Sequence, residues 1–182
     1  MADTGSCHIS TGVPVPADAV DRPVSPWGEQ TDLFWEDLQP GAHFELGTHL
    51  VSQEEIIAFA EQFDPQPFHT DPVRAGQSIF GGLIASGWHS ASIWMRLYFD
   101  TVLSRAASLG SPGVDELKWL NPVRAGDELT GSVEAVAARL SQSRPERGLV
   151  QLRGELRDQT GEVKMRMTAW GLFGRRPQRD PG

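Results

Sequence analysis

From residue 129 onward, apolar and small side chains recur at every second position. They occupy Leu129, Gly131, Val133 and Ala135, then the even positions of Val150–Arg157, then the odd positions of Val163–Ala169. A period of two predicts strands with one buried face. The intervening Asp158-Gln159-Thr160-Gly161 is a turn, so the last two strands pair as a hairpin. Further strands are predicted from Phe44 to Val51 and around Val114 to Leu120, the second followed by the turn Arg124-Ala125-Gly126-Asp127. Between those two strands the period changes. Ile56, Phe59, Ala60 and Phe63 form a helical stripe, and Ser52-Gln53-Glu54-Glu55 is a capping box in which Glu55 returns a bond to the Ser52 backbone. A helix over 53–63 follows, closed by Pro65. Asp71-Pro72 reads as an N-cap and N1 pair opening a short helical turn. A longer apolar helix starts at Ser86 or Gly87 and runs through Trp94, Leu97 and Leu103.

A strand, helical segments and then four antiparallel strands make an α+β layered domain in which one sheet wraps the helix from 87 to 104. The pattern alone leaves several α+β topologies open. Residues 1–31 carry Pro14, Pro16, Pro23 and Pro26 and no apolar period, which predicts a flexible N-terminal arm. The domain then occupies 32–174, and a polar tail, expected to fray, covers 175–182. At 182 residues the chain is long enough for one core without metal or disulfide support.

Charge and composition narrow the function. A net charge of −8 with scattered Lys and Arg speaks against a nucleic-acid partner. Cys7 is the single cysteine and cannot form an internal disulfide. The N-terminus lacks a signal-peptide pattern and no apolar run approaches a membrane span, so the expected location is cytoplasmic. No metal site is expected: His43 and His49 would share a strand face about 20 Å apart, too far for one ion.

The candidate chemistry lies in Asp64-Pro65-Gln66-Pro67-Phe68-His69, followed by Phe80-Gly81-Gly82-Leu83-Ile84-Ala85-Ser86-Gly87. The first segment sets a carboxyl and an imidazole five residues apart on a stretch that two prolines should keep non-helical. The second runs a glycine-rich loop into a helix N-terminus, where unpaired N–H groups favour a developing oxyanion. Each group also has a plainer reading. Asp64 suits a turn, His69 a bond to a backbone carbonyl, and Gly87 a close approach of helix and sheet.

These residues resemble the MaoC-like dehydratases and (R)-specific enoyl-CoA hydratases, whose motif reads Asp-x-Asn-Pro-x-His. Asp64, Pro67 and His69 match it, and Gln66 replaces the asparagine. The similarity continues through Phe80–Gly87 and Asn121–Leu129, and covers roughly residues 34 to 173. It implies a hotdog fold, usually dimeric, and reversible addition of water to an α,β-unsaturated acyl-CoA thioester. Asp64 and His69 would bind one water, with His69 the expected base. Gly87, with Ser86 and Gln66, would meet the substrate, and the Gly87 N–H would hold the thioester carbonyl. Coenzyme A would enter only as part of the substrate, with no other cofactor. Met95 replaces a small or hydroxylated residue usual in these proteins. His89 is expected to pack, while Phe68, Trp88 and Trp94 are candidates for pocket walls. Two rival functions stay open: a non-catalytic acyl-CoA-binding or partner hotdog subunit, and a hotdog thioesterase.

Overall fold

The computed structural model describes residues 31–177. Its elements run β1 (His43–Leu50), α1 (Gln53–Phe63), α2 (Pro67–Thr70), α3 (Pro72–Gly76), α4 (Gly87–Thr101), β2 (Gly113–Trp119), β3 (Glu128–Leu140), β4 (Arg147–Arg157) and β5 (Val163–Gly174). The five strands form one antiparallel sheet in the order β1-β3-β4-β5-β2, with α4 laid along its concave face. This is the hotdog arrangement.

The alternation read from the sequence sets the inner face. Leu129, Gly131, Val133 and Ala135 of β3 are buried, as are Gly148, Val150, Leu152, Gly154 and Leu156 of β4. Glycines in that row are sockets. A Cβ at Gly154 would strike the Trp94 indole, which lies on the strand and donates from Nε1 to the Ser132 carbonyl at 3.0 Å. A Cβ at Gly148 would strike Trp35, whose Nε1 donates to the Leu149 carbonyl at 3.3 Å. Two indoles thus fill depth that strand side chains would otherwise occupy, and Trp94 stacks on Tyr98 one turn along α4.

Three expectations change. The sequence alternation puts His43 and His49 on one strand face, but a bulge between Glu45 and Gly47, with Gly47 at φ +86°, reverses it. His43 stays on the outer face beside Glu45, whereas His49 points to the helix side and contacts Glu55 at 2.8 Å. Ser52 does cap α1 by accepting from the Glu55 N–H, yet the Glu55 carboxylate goes to His49 rather than back to the Ser52 backbone. Lys164 sits on the polar alternation of β5 but is buried, because the Asp158 turn folds over it and pairs with its ammonium at 3.0 Å.

The arm over 1–31 lies outside the described residues except for its last one. The tail beyond 177 lies outside them as well. Arg175 and Arg176, at the start of the segment expected to fray, are anchored to Glu36 and Asp37. No helix among the described residues is long and apolar enough to cross a membrane.

The glycine sockets give a direct test. Gly154→Ala forces a methyl into the buried indole of Trp94, so it should destabilise the fold by about 1–3 kcal/mol, the scale of core overpacking. The check is the urea-unfolding midpoint against wild type; an unchanged midpoint contradicts the socket.

Candidate active site

Asp64 is the C-cap of α1, its N–H bonded to the Ala60 carbonyl at 2.9 Å. The chain then leaves through a tight turn at Pro65, closed by the Gln66 N–H donating to the Asp64 carbonyl at 2.7 Å. Here the structure corrects the expectation that both prolines keep the segment non-helical. Pro67 stands at the first position of α2, where a missing N–H costs nothing and the fixed φ favours a turn. That single turn carries His69 inward to 5% exposure.

The imidazole is held by both ends of its surroundings. Nδ1 lies 2.8 Å from the carbonyl oxygen of Ile84. A carbonyl only accepts, so Nδ1 carries the proton and Nε2 of the neutral ring is a bare lone pair. Nε2 faces Asp64 Oδ2 at 3.4 Å. The carboxylate is itself fixed: the Ser86 hydroxyl donates to Oδ2 at 2.7 Å and the Gln66 amide donates to Oδ1 at 2.9 Å. Burial alone would raise the Asp64 pKa, but the bonds from Ser86 and Gln66 and the charge available on His69 outweigh it and hold the carboxyl below its ordinary value. Two acceptors therefore lie side by side 3.4 Å apart on the cleft wall, so a water that serves both sits beside the pair, on its cleft side, and donates one proton to each.

Ser86 is fully buried and opens α4. Its oxygen accepts from the Trp88 N–H at 3.2 Å while its proton goes to Asp64, so the same hydroxyl caps the helix and seats the carboxylate. Next to it, no acceptor faces the Gly87 N–H among the described residues. The plain reading of Gly87 is also met. A Cβ there would collide with the indole of Trp119, so a side chain at 87 must displace that ring and alanine is no silent replacement.

The pair opens on a cleft of about 550 Å³ lined by Phe63, Phe68, Phe80, Trp88, Trp119 and the 120–123 segment, among others. Gln66, Ser86 and Gly87 all border it, as do Phe68 and Trp88. Trp94 does not, being committed to the core. Met95 is half exposed and lies on another part of α4. Asp71 caps α3, accepting from the Val73 and Arg74 N–H groups. Two residues that sequence reasoning passed over shape the cleft. Trp119 covers Gly87, and Arg124 donates to the Phe80 carbonyl at 2.6 Å, pinning the glycine loop. The Asn121-Pro122 step just after Trp119 was the available signal, since it brings the end of β2 back to the loop.

His89 packs, as expected. It is buried, stacks on Phe59 with centroids 4.8 Å apart, and has Nε2 4.0 Å from Glu55. Its Nδ1 has no partner. Among the described residues no group of three or more potential ligands is arranged to hold a metal ion.

Comparison with known proteins gives the family. The MaoC like domain family matches residues 37–153. The solved MaoC-like dehydratase from Rhodospirillum rubrum is 43% identical, with a TM-score of 0.73, over 81% of this chain and 100% of that one. The (R)-hydratase from A. caviae involved in PHA biosynthesis is 27% identical, with a TM-score of 0.62, over 78% of this chain and 99% of that one. The mitochondrial 3-hydroxyacyl-[acyl-carrier-protein] dehydratase of Arabidopsis thaliana is 30% identical over 102 residues, which are 53% of this chain and 56% of that protein. The chain belongs to the MaoC-like domain family, and hydratases and dehydratases are among its relatives.

The buried imidazole of His89 sets an acid limit on stability. Desolvation lowers its pKa below 6.5, Glu55 opposes this and His49 adds to it. The folded state thus disfavours the protonated ring, so its contribution is fully present above about 6.5 and is lost as pH falls below that value. His89→Leu should flatten the fall in unfolding free energy between pH 6.5 and 5. An unchanged slope assigns that acid sensitivity to other groups.

Proposed function

We propose that this member of the MaoC-like family is a hydro-lyase that adds water reversibly across the double bond of an α,β-unsaturated acyl-CoA thioester. The observation that carries the reading is the 3.4 Å pairing of the His69 Nε2 lone pair with Asp64 Oδ2 at a cleft beside an unpaired Gly87 N–H. In the hydration direction His69 takes a proton from a water held against both groups on their cleft side, and the water oxygen bonds to C3. The π electrons move through C2 and C1 to the thioester oxygen. The Gly87 N–H stabilises that oxygen, a contact whose loss typically costs ~3 kcal/mol. C2 then takes a proton relayed from the Asp64–His69 pair, so one water is added and nothing is oxidised or reduced. Ser86 and Gln66 are positioning residues, each fixing one oxygen of Asp64. Coenzyme A enters as part of the substrate, and a cytoplasmic setting belongs to the same reading.

The reading includes a homodimer. Strand β2 is an edge strand exposed along most of its length, and Met95 of α4 is exposed near its start at Val114. An edge with unpaired backbone groups beside apolar side chains is suited to pairing with a second copy. Light scattering should give twice the chain mass, and a monomer would remove this part of the reading.

The decisive experiment incubates the purified protein with short, branched and long enoyl-CoA thioesters and follows product mass. Gain of one water with the thioester intact is the expected result. Release of free coenzyme A thiol would mark a thioesterase instead, and no change on any member would favour the non-catalytic binding subunit.

A further inference from the structure

The electrostatics of the cleft bear on what its acyl group can be. Among the described lining residues the one cation is Lys164, and it is already taken: Nζ lies 2.6 Å from Glu162 Oε2 and 3.0 Å from Asp158 Oδ2. One ammonium thus answers two carboxylates, so it has no free charge to offer a further anion in the cleft. Both bonds also hold the ammonium against its burial, keeping it charged and committed. On the Asp64 side, the donors from Ser86 and Gln66 keep an anion at the wall. Arg124 stands behind the loop with its guanidinium on the Phe80 carbonyl rather than in the cleft.

What remains of the wall is aromatic. Trp88 and Trp119 meet edge to face at 5.4 Å and are 58% and 48% exposed, so a large part of each indole is open to an occupant beside Gly87. Phe68 and Phe80 form a second aromatic pair at 5.1 Å. Apolar surface of this kind gains from covering an apolar tail and gains nothing from covering a carboxylate, which would also lose its water.

Resting on the hydratase reading above, we propose that the site selects enoyl thioesters whose acyl group is uncharged and rejects those ending in a second carboxylate. Rejection comes from the Asp64 carboxylate and from Lys164 being already committed to Asp158 and Glu162, and acceptance from the Trp88–Trp119 wall. Specificity of this form arises by placing like charge against the wrong ligand as much as by fitting the right one.

The test uses saturated thioesters that cannot be hydrated, so binding is read apart from turnover. Titration calorimetry of the full chain with butyryl-CoA against succinyl-CoA, and hexanoyl-CoA against adipoyl-CoA, compares acyl groups of equal length. The uncharged member of each pair should bind at least about tenfold tighter, the scale of one like-charge contact at partial burial. Asp64→Asn should shrink that ratio several-fold, Glu162→Gln should shrink it less, and Trp119→Ala should weaken hexanoyl-CoA more than adipoyl-CoA. Equal affinities within each pair, or a preference for the dicarboxylic member, overturn the inference. Hydration of crotonyl-CoA measured alongside separates the two readings. If crotonyl-CoA is hydrated but the affinities are equal, only the charge selection fails; if no thioester binds, both fail.

Discussion

Four consecutive residues, Ile84 to Gly87, form the rail on which the candidate site is assembled. The Ile84 N–H bonds the Phe68 carbonyl and the Ile84 carbonyl accepts from His69; the Ala85 N–H bonds the Val123 carbonyl; the Ser86 hydroxyl reaches Asp64. Together the rungs tie three pieces of chain, α2, Val123 and the end of α1, to the start of α4. Helix α4 in turn cannot shift along the sheet, because Trp94 is seated over Gly154 and bonded to Ser132. The position of Asp64 and His69 is therefore set by core packing rather than by the loops that carry them. A site fixed this way holds its geometry without substrate, which is the condition for preorganised catalysis.

The same arrangement sets the charge of the carboxylate and the orientation of the imidazole. Ser86 and Gln66 both donate to Asp64, so the carboxylate is stabilised as an anion despite partial burial. His69 must donate from Nδ1, which leaves Nε2 able to accept. Neither group can satisfy the other while the ring is neutral, and both turn towards the same space. Water is the simplest molecule that supplies a proton to each. Trp119 over Gly87 and the pinned Phe80 loop then narrow the approach to that water.

Much of this was legible in the residues. The period-two runs gave the strand faces, Ser52 and Asp71 announced two helix starts, and the Asp64–His69 spacing marked a pair that the fold brings together at a cleft. What stayed hidden depended on partners distant in sequence. The bulge that separates His43 from His49 has one local sign, the lone Gly47 within a strand pattern, but its register is set by pairing with β3. Glu55 looked committed to a capping box until His49 was brought beside it by the strand–helix connection. Lys164 read as an outward strand residue because alternation does not register a buried carboxylate from the preceding turn. Gly87 supported two readings from sequence, a free donor and a close approach, and both are present in the folded chain.

The central claim is that Asp64 and His69 act on one shared water, and a double-mutant cycle tests it most directly. Asp64→Asn, His69→Ala and the double variant are compared in crotonyl-CoA hydration, with circular dichroism confirming that each is folded. The account predicts that each single change lowers kcat by about 10²-fold or more, and that the double variant is little worse than the worse single one. Losses that multiply across the cycle, or near-wild-type turnover in either single variant, would contradict a shared water.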